Sequence, residues 1–501
     1  MSPPAPLHFI SRRSAVYGTH AMVSSSQPSA TQAGIDILKK GGNAADAAVA
    51  VAAALGVTAA LTLDLIRQEG IQGQSLPSKS IHAITVPGAA AAWADCVDWF
   101  GSGNVDLATI LQPAIDLAEN GFPVAEISSH SWKQQEDDLI ALNPGQEMEY
   151  LINGVHAPEE GDIMLLPTLA NSYKVLANEG KKGFYNGPIG EAIVAAITSR
   201  GGVMTMQDLA AHTSQPVTPI SIDYHDYTVW EIPPNGQGIT ALMALGILEA
   251  LENKGSVDFG KLEHNSAAYL HVVIEALRLA FADTRYYVGD PDVVHVPIQE
   301  LLSKNSTFMS FGSNIIPEQC GFPLHNRGCN FVLIDNHPNC IGPSKRPYHT
   351  IIPSMITKKQ KDGQHDLEAC FGVMGAFAQP QGQVQVILNM LKYLQNPQHS
   401  LDLPRLCVAP PVGKSKNGTL DANAYSFTDV SQSVVYLEDG ITDQAIQGLE
   451  AMGHECIRLK GHPRSMMGRG QVIRSKTDRR TGKRVLVAGS DPRGDGHAEG
   501  W

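Results

Sequence analysis

No stretch of this 501-residue sequence reaches the roughly 20 consecutive apolar residues that a bilayer-spanning helix needs. The blandest run, Ala47 to Val57, falls well short, so no membrane span is expected. The N-terminus, "MSPPAPLHFISRRSAVYG", has no apolar core of a secretion signal, because its basic residues follow only a few apolar ones. Positive charge is in deficit, with 37 Lys and Arg against 50 Asp and Glu and a net charge of -13. That balance argues against nucleic acid and against anionic membrane surfaces as partners. Cysteine is sparse: seven residues, an odd number, at 96, 320, 329, 340, 370, 407 and 456, with no C-x-x-C pair. Scattered thiols of this kind fit the reducing cytoplasm, each acting as a small hydrophobe.

Catalytic signatures are also lacking. The 18 histidines include no H-E-x-x-H and no pair at helical i, i+4 spacing beside a carboxylate. There is no P-loop, no G-x-S-x-G elbow and no S-x-x-K. Isolated histidines such as His225, His349 and His462 are usually structural.

What is present reads as globular, with 43% apolar and 17% charged residues. The length suits two or three domains or one large layered domain. "TQAGIDILKKGG" predicts a helix from Thr31 to Lys40 closed by Gly41. Asn43 then caps a second helix, with Asp46 three residues on. That helix is mostly Ala and Val, small on every face, and is expected in the core. "ISIDYHDYTVWEIPP" predicts a hairpin turning at His225–Asp226. Helices are expected over 238–251 and 264–286. From Phe331 the texture changes to strands, "FVLID", "HTIIPSMITK" and "LEACFGVMG", then a helix over 383–394. "SVVYLED", a helix over 443–452, "HECIRL", "GQVIRSK" and "RVLVAGS" follow. Helices first and strands later suggest an α/β sandwich with a largely antiparallel sheet.

Two short motifs compete for chemistry. Gly236-Gln-Gly238-Ile-Thr-Ala241 follows a strand and opens a helix, the order of a dinucleotide-binding turn. Pro233 and Pro234 precede it, and a helix rather than a second strand with an acidic end follows, so a simple Gly turn is the better reading. In "ACFGVMGAFAQPQGQ" an apolar strand ends at Gly375-Ala376 and a helix starts almost at once. Amides left free at such a corner can hold an oxyanion.

Taken in order, "SSSQPSATQAGIDILKKGGNAADAAVAVAAALGVT", "HAITVPGAAAAWADCVDWFGSG", "PAIDLAENGFPV", "GKKGFYNGPIGEAIVAAITSRGGVMTMQDLAAH", "EIPPNGQGITALMALGILE", "EALRLAFADTRYYVGDP", "FGSNIIPEQCGFPLHNRGCNF", "KRPYHTIIPSM" and "GSDPRGDG" form nine blocks. With them the chain resembles the γ-glutamyltransferases, or glutathione hydrolases, in the branch without a secretion signal. The resemblance implies the N-terminal-nucleophile hydrolase fold, a four-layer αββα sandwich. It makes residues 1–304 the counterpart of the large subunit and 305–501 that of the small subunit, together one fold. It implies a small-molecule γ-glutamyl substrate of the glutathione type, transfer or hydrolysis through a self-liberated N-terminal threonine, and no metal or organic cofactor. Gly375 and Ala376 match the oxyanion pair. Arg327 and Asn330 match positions at the substrate's α-amino end. His349 and Thr350 match a Ser-Ser pair on its α-carboxylate. Asn330 stands where many members have Asp, which implies a weaker ammonium contact.

Two segments that the family carries are absent. After Thr58 the Gly-rich strand ending in Ser-Gly-Arg is missing, and "AALTLDLIRQ" follows directly. After Lys304 the strand beginning with the nucleophilic Thr is missing, and "NSTFMSFGSN" follows directly. Ser306 and Thr307 match the stretch beyond the nucleophile strand, Thr307 near a substrate-binding Asn. Without the scissile Thr, self-cleavage and catalysis are not expected of this chain. Two clean losses between intact blocks fit a joining error in an active line better than decay, which scatters damage. A non-catalytic homologue that binds γ-glutamyl or related acyl-amide ligands is the alternative, and a dinucleotide enzyme built on Gly236 and Gly238 a distant third.

Overall fold

The computed structural model describes residues 13–53, 76–77, 80–146, 148–302, 315–360, 362–376, 378–411 and 433–501. Both junctions, with Thr58, Lys304, Ser306 and Thr307, lie outside these.

The first helix, α1 (Pro28–Lys39), starts on a proline whose missing N–H costs nothing there, and the chain leaves it through Gly41 at φ +94°. In α2 (Ala44–Ala53) the cap is reciprocal. Asn43 Oδ1 accepts from the amides of Ala45 and Asp46 at 2.9 and 3.2 Å, and Asp46 Oδ2 accepts from Asn43 N at 2.8 Å. Ala47, Val49, Ala50 and Ala53 are buried against α1 and α3 (Leu107–Asn120), while Ala44 and Ala48 stay exposed. The Ala/Val helix is thus a core helix on all but one narrow face.

A seven-stranded sheet organises the molecule. Its strands are β1 (Val16–Gly18), β3 (Ile220–Tyr224), β4 (Tyr227–Glu231), β5 (Ser354–Lys359), β6 (His365–Met374), β10 (Arg469–Thr477) and β11 (Arg484–Ser490), in the order β1-β11-β10-β6-β5-β4-β3. Every pairing is antiparallel. Four adjacent strands from after residue 304 form its centre, flanked by β1 on one side and by β4 and β3, from before residue 304, on the other.

One face carries Val229, Ile356, Phe371, Val373 and Val472, packed under α4 (Gly238–Asn253) and α6 (Ala378–Leu391). On the other face Ile473 and Ala488 meet Met22 and Ala498 of a second sheet, β2 (Met22–Ser25) paired with β12 (His497–Gly500). Helix α1 covers that pair from outside, and α7 (Pro397–Asp402) contacts β10 and β11. The order helix, sheet, sheet, helix makes four layers. A further sheet, β7 (Leu406–Ala409), β8 (Val434–Glu438) and β9 (Cys456–Leu459), packs on the far side of α6 and on α5 (Ala267–Tyr287).

The second sheet is narrow. Trp230, Met355, Cys370, Ile473 and Ala488 lie side by side across five strands on one face. Only the Ile473–Ala488 end lies under β2 and β12, and Met355 and Met374 remain about half exposed. Among the described residues, the thin place is therefore in the facing sheet, not in the seven-stranded one.

Two expectations needed correction. "FVLID" is not a strand but makes a single bridge, Val332 to Cys340. Asn339 takes the partners a ladder would use: its Nδ2 donates to Asn330 O at 2.6 Å and its Oδ1 accepts from Tyr348 N at 3.3 Å. The helix expected from Gln383 begins at Ala378, since Pro380 fits its first turn.

Candidate active site

Strand β6 ends at Met374 and helix α6 begins at Ala378, leaving a three-residue corner. Ala378 N donates to Gly375 O at 2.8 Å, closing it tightly. Ala376 takes φ +53°, a left-handed conformation uncommon for alanine. Gly375 takes φ +151°, and a Cβ there would stand 2.6 Å from Gly468 Cα, so no side chain fits. Neither the Gly375 nor the Ala376 amide donates to a described residue. Two main-chain donors are thus left at the head of a 14-residue helix, where the dipole favours negative charge.

Gly468, at φ +76°, ends the turn before β10 and interlocks with this corner. Arg405 donates to the carbonyls of Met467 and Gly468 at 3.3 and 3.2 Å and pairs with Asp491 at 2.7 Å. Asp491 also accepts from Gly470 N at 2.7 Å and pairs with Arg493 at 2.9 Å. Arg493 and Arg464 both pair with Glu438. Burial raises the carboxyl pKa of Asp491, but Arg405 and Arg493 more than offset this and hold it below the ordinary value. Arg493 and Arg464 do the same for Glu438. This five-residue network, buried except for Arg464, fixes the strand end on which Gly375 rests.

The other expected site residues lie on two segments. A 3-10 turn, Arg327–Asn330, carries Arg327 and Asn330, and His349 and Thr350 stand just before β5. Arg327 is buried and donates from Nη1 to Thr350 Oγ1 at 2.6 Å. Burial pushes its guanidinium down to about 10. Asn330 Nδ2 donates to Tyr348 O at 2.8 Å, so its amide holds two loops together. An aspartate here would set a carboxylate against that carbonyl.

Sequence reasoning missed the residue that joins the two halves. Gln237 is fully buried, and its Nε2 donates to Thr350 O at 3.2 Å and to Ala376 O at 3.1 Å. Its main-chain N–H donates to His349 O at 2.9 Å. It is the middle residue of Gly236-Gln237-Gly238, and the spacing of glycines drew attention away from it. Gly238 is needed because Glu231 stands against it: a Cβ would come within 2.5 Å of the Glu231 carboxylate. Strand β4 runs antiparallel to both neighbours, so no parallel βαβ dinucleotide unit forms. Gly375, Ala376, Thr350, Arg327 and His349 are thereby brought to one place, with Asn330 tied in through Tyr348.

The electrostatics of that place are one-sided. Burial lowers the pKa of His325 well below its ordinary value, and the charges of Arg327 and His349 lower it further. Burial and Arg327 act likewise on His349. No described carboxylate acts on either imidazole. His325 Nδ1 accepts from Arg327 N at 2.7 Å, so the proton of the neutral ring is on Nε2. That Nε2–H is buried and has no partner among the described residues. Because His325 is neutral when folded, acid favours the unfolded chain, which takes up a proton as pH falls through about 6.5. Stability should decline below that pH by up to roughly 1.4 kcal/mol per unit from this group alone. His325→Asn keeps the bond to the amide two residues on and should flatten the decline, read from urea midpoints at pH 7 and 5.5. Equal slopes in both proteins would remove His325 from the account.

The fold and the corner define an N-terminal-nucleophile hydrolase scaffold. The chain is similar to the crystal structure of cephalosporin acylase from Bacillus halodurans, at 32% identity and TM-score 0.83, over 100% of this chain and 99% of that one. It belongs to the gamma-glutamyltranspeptidase family. The family profile matches residues 30–62, 58–308 and 305–501, three pieces that meet at the two junctions found in the sequence. A glutathione hydrolase-like YwrD proenzyme of Bacillus subtilis is 32% identical over 97% of this chain and 99% of its own length. That alignment runs over 558 residues, so several tens of positions of the relative face no residue of this chain. An oxamate amidohydrolase proenzyme of Klebsiella pneumoniae is 25% identical over 96% and 99%. Both of these relatives are proenzymes. Among the described residues no helix is long and apolar enough to cross a membrane.

Proposed function

We propose that this chain holds the acyl-binding and oxyanion half of a γ-glutamyltransferase-type amidohydrolase and, lacking the nucleophilic Thr strand, binds its ligand without turning it over. The observation that carries this is Gln237, whose one amide group ties Thr350 of the acyl side to Ala376 of the corner. In a chain with both segments restored, the substrate carbonyl would sit at the Gly375 and Ala376 amides and its acyl carboxylate by His349 and Thr350, with Arg327, bonded to Thr350, assigned to that carboxylate instead of to an α-amino end. The incompletely covered row at Trp230, Met355 and Cys370, with Met355 about half exposed, is where a further strand would complete the second sheet. The seven free cysteines fit a cytoplasmic protein, and cleavage in the restored chain would divide it near residue 304.

The substrate class follows from the charge. A free γ-glutamyl group brings an ammonium beside its carboxylate, and the imidazoles of His325 and His349 feel only positive neighbours. Asn330, bound to Tyr348, offers no charge in return. We infer an acyl amide with a carboxylate and no α-ammonium, a class to which oxamate, named for one relative, belongs. Glutaramate and L-glutamine differ in that ammonium alone. Calorimetry on the chain as it stands should show glutaramate binding a few-fold tighter, as one unbalanced charge in a partly screened site requires. Tighter binding of glutamine would reverse the assignment of substrate class, and binding of neither would remove the acyl site itself.

A further inference from the structure

Away from the acyl site, the described residues gather one group with the chemistry of metal ligands. His271 and Glu275 stand one turn apart on α5, and His454 follows α8 (Asp443–Ala451). One donor atom from each lies within 4.8 Å of the others. His454 is firmly placed. Gly453, at φ +91°, turns the chain out of α8, and His454 N donates back to Leu449 O at 3.1 Å. Helix α8 lies so close to α5 that a Cβ on Gly448 would meet Ala267 Cβ at 2.6 Å. Two packed helices therefore fix the separation of the imidazoles, with His271 Nδ1 and His454 Nε2 2.8 Å apart.

We propose that His271, Glu275 and His454 form a three-ligand site for a borderline divalent cation such as Zn(II) or Ni(II), with water completing the shell. Imidazole and carboxylate are the ligands such ions select, and Zn–N bonds of about 2.0–2.1 Å in tetrahedral array put two nitrogens about 3.3 Å apart. The two rings need to part by only about half an ångström to admit the ion.

Arg278, on the same face of α5, opposes the ion. Its Nη1 lies 2.9 Å from His454 Nδ1 and 2.9 Å from Glu275 Oε1, and its Nε and Nη2 donate to Ser433 at 3.2 and 3.3 Å. A guanidinium only donates, so His454 Nδ1 accepts and the ring proton sits on Nε2, shared with His271 Nδ1. For the ion to bind, Arg278 leaves Nδ1 and Glu275 while keeping Ser433. The His454 proton then passes through solvent from Nε2 to Nδ1, which frees the Nε2 lone pair. No net proton is lost, and Arg278 acts as a competitor built into the site.

The test is calorimetric titration of the full chain with Zn(II), alongside visible absorption with Co(II) as a spectroscopic probe. Arg278→Met should bind one equivalent at least about tenfold tighter than the unaltered chain, because two charge-assisted hydrogen bonds no longer have to break. Adding His271→Ala to Arg278→Met should abolish that equivalent and the Co(II) bands. His271 is only partly buried, so this substitution leaves the packing of α5 on α8 in place; circular dichroism verifies the fold. Equal binding in Arg278→Met with and without His271, or no gain from Arg278→Met, would overturn the site and leave a structural His–His–Arg chain.

Discussion

With both absent segments restored, Gly375→Ala should lower kcat by about 10²–10³-fold, with a much smaller change in KM. The size is that of losing a single oxyanion donor, and the split follows because the hole acts chiefly on the transition state. The steric cause is specific. A methyl group at 375 would stand 2.6 Å from Gly468 Cα, and Gly468 is held from behind by Arg405. The corner, not Gly468, must then yield, and its two amides turn away from their common target. Ala376→Gly is the control. It keeps the amide and relaxes a left-handed residue at φ +53°, so activity should be retained. Proline at 376, the direct way to delete a donor, also demands φ near −65° and would rebuild the corner. Unchanged kcat in Gly375→Ala would remove the oxyanion assignment.

The second large effect concerns stability. Asp491→Asn or Glu438→Gln should each destabilise the chain by about 3–5 kcal/mol, the cost of stranding buried charge when one partner is neutralised. Both carboxylates are wholly buried, and the arginines that face them stay charged. Against a total of about 5–15 kcal/mol this is a large share. The pH dependence has a definite sign. Both folded pKa values are depressed below 3.8 and 4.5. The stabilisation is therefore complete above about pH 4.5 and is lost as pH falls toward the folded values. Urea unfolding at pH 7 and pH 4 measures both claims. A loss under about 1 kcal/mol at pH 7 would mean the network is replaceable by neutral hydrogen bonds.

Much of this was legible in the residues because the signals are local. Asn43 and Asp46 announce the cap of α2, the turn at His225–Asp226 announces its hairpin, and the alternation in "GQVIRSK" and "RVLVAGS" announces β10 and β11. The strand-to-helix corner at Gly375-Ala376 was readable for the same reason. Gln237 was not, since its two acceptors lie 113 and 139 residues away in the chain. The ion-pair network was equally hidden: Arg405 and Glu438 come from the β7–β8 pair of one sheet, and Asp491 from the end of β11 in another. "FVLID" misled because periodicity cannot reveal that Asn339 will occupy the backbone partners a strand needs. The family blocks carried the remainder, including the two places where the chain departs from its relatives.

The central proposal is that this chain, built on the scaffold of its family, keeps the acyl site but not the self-cleaving threonine. Intact mass spectrometry of the purified protein, after prolonged incubation at neutral pH, tests it most directly. One polypeptide near 53.7 kDa is predicted. Two fragments, the second beginning with serine or threonine, would contradict it.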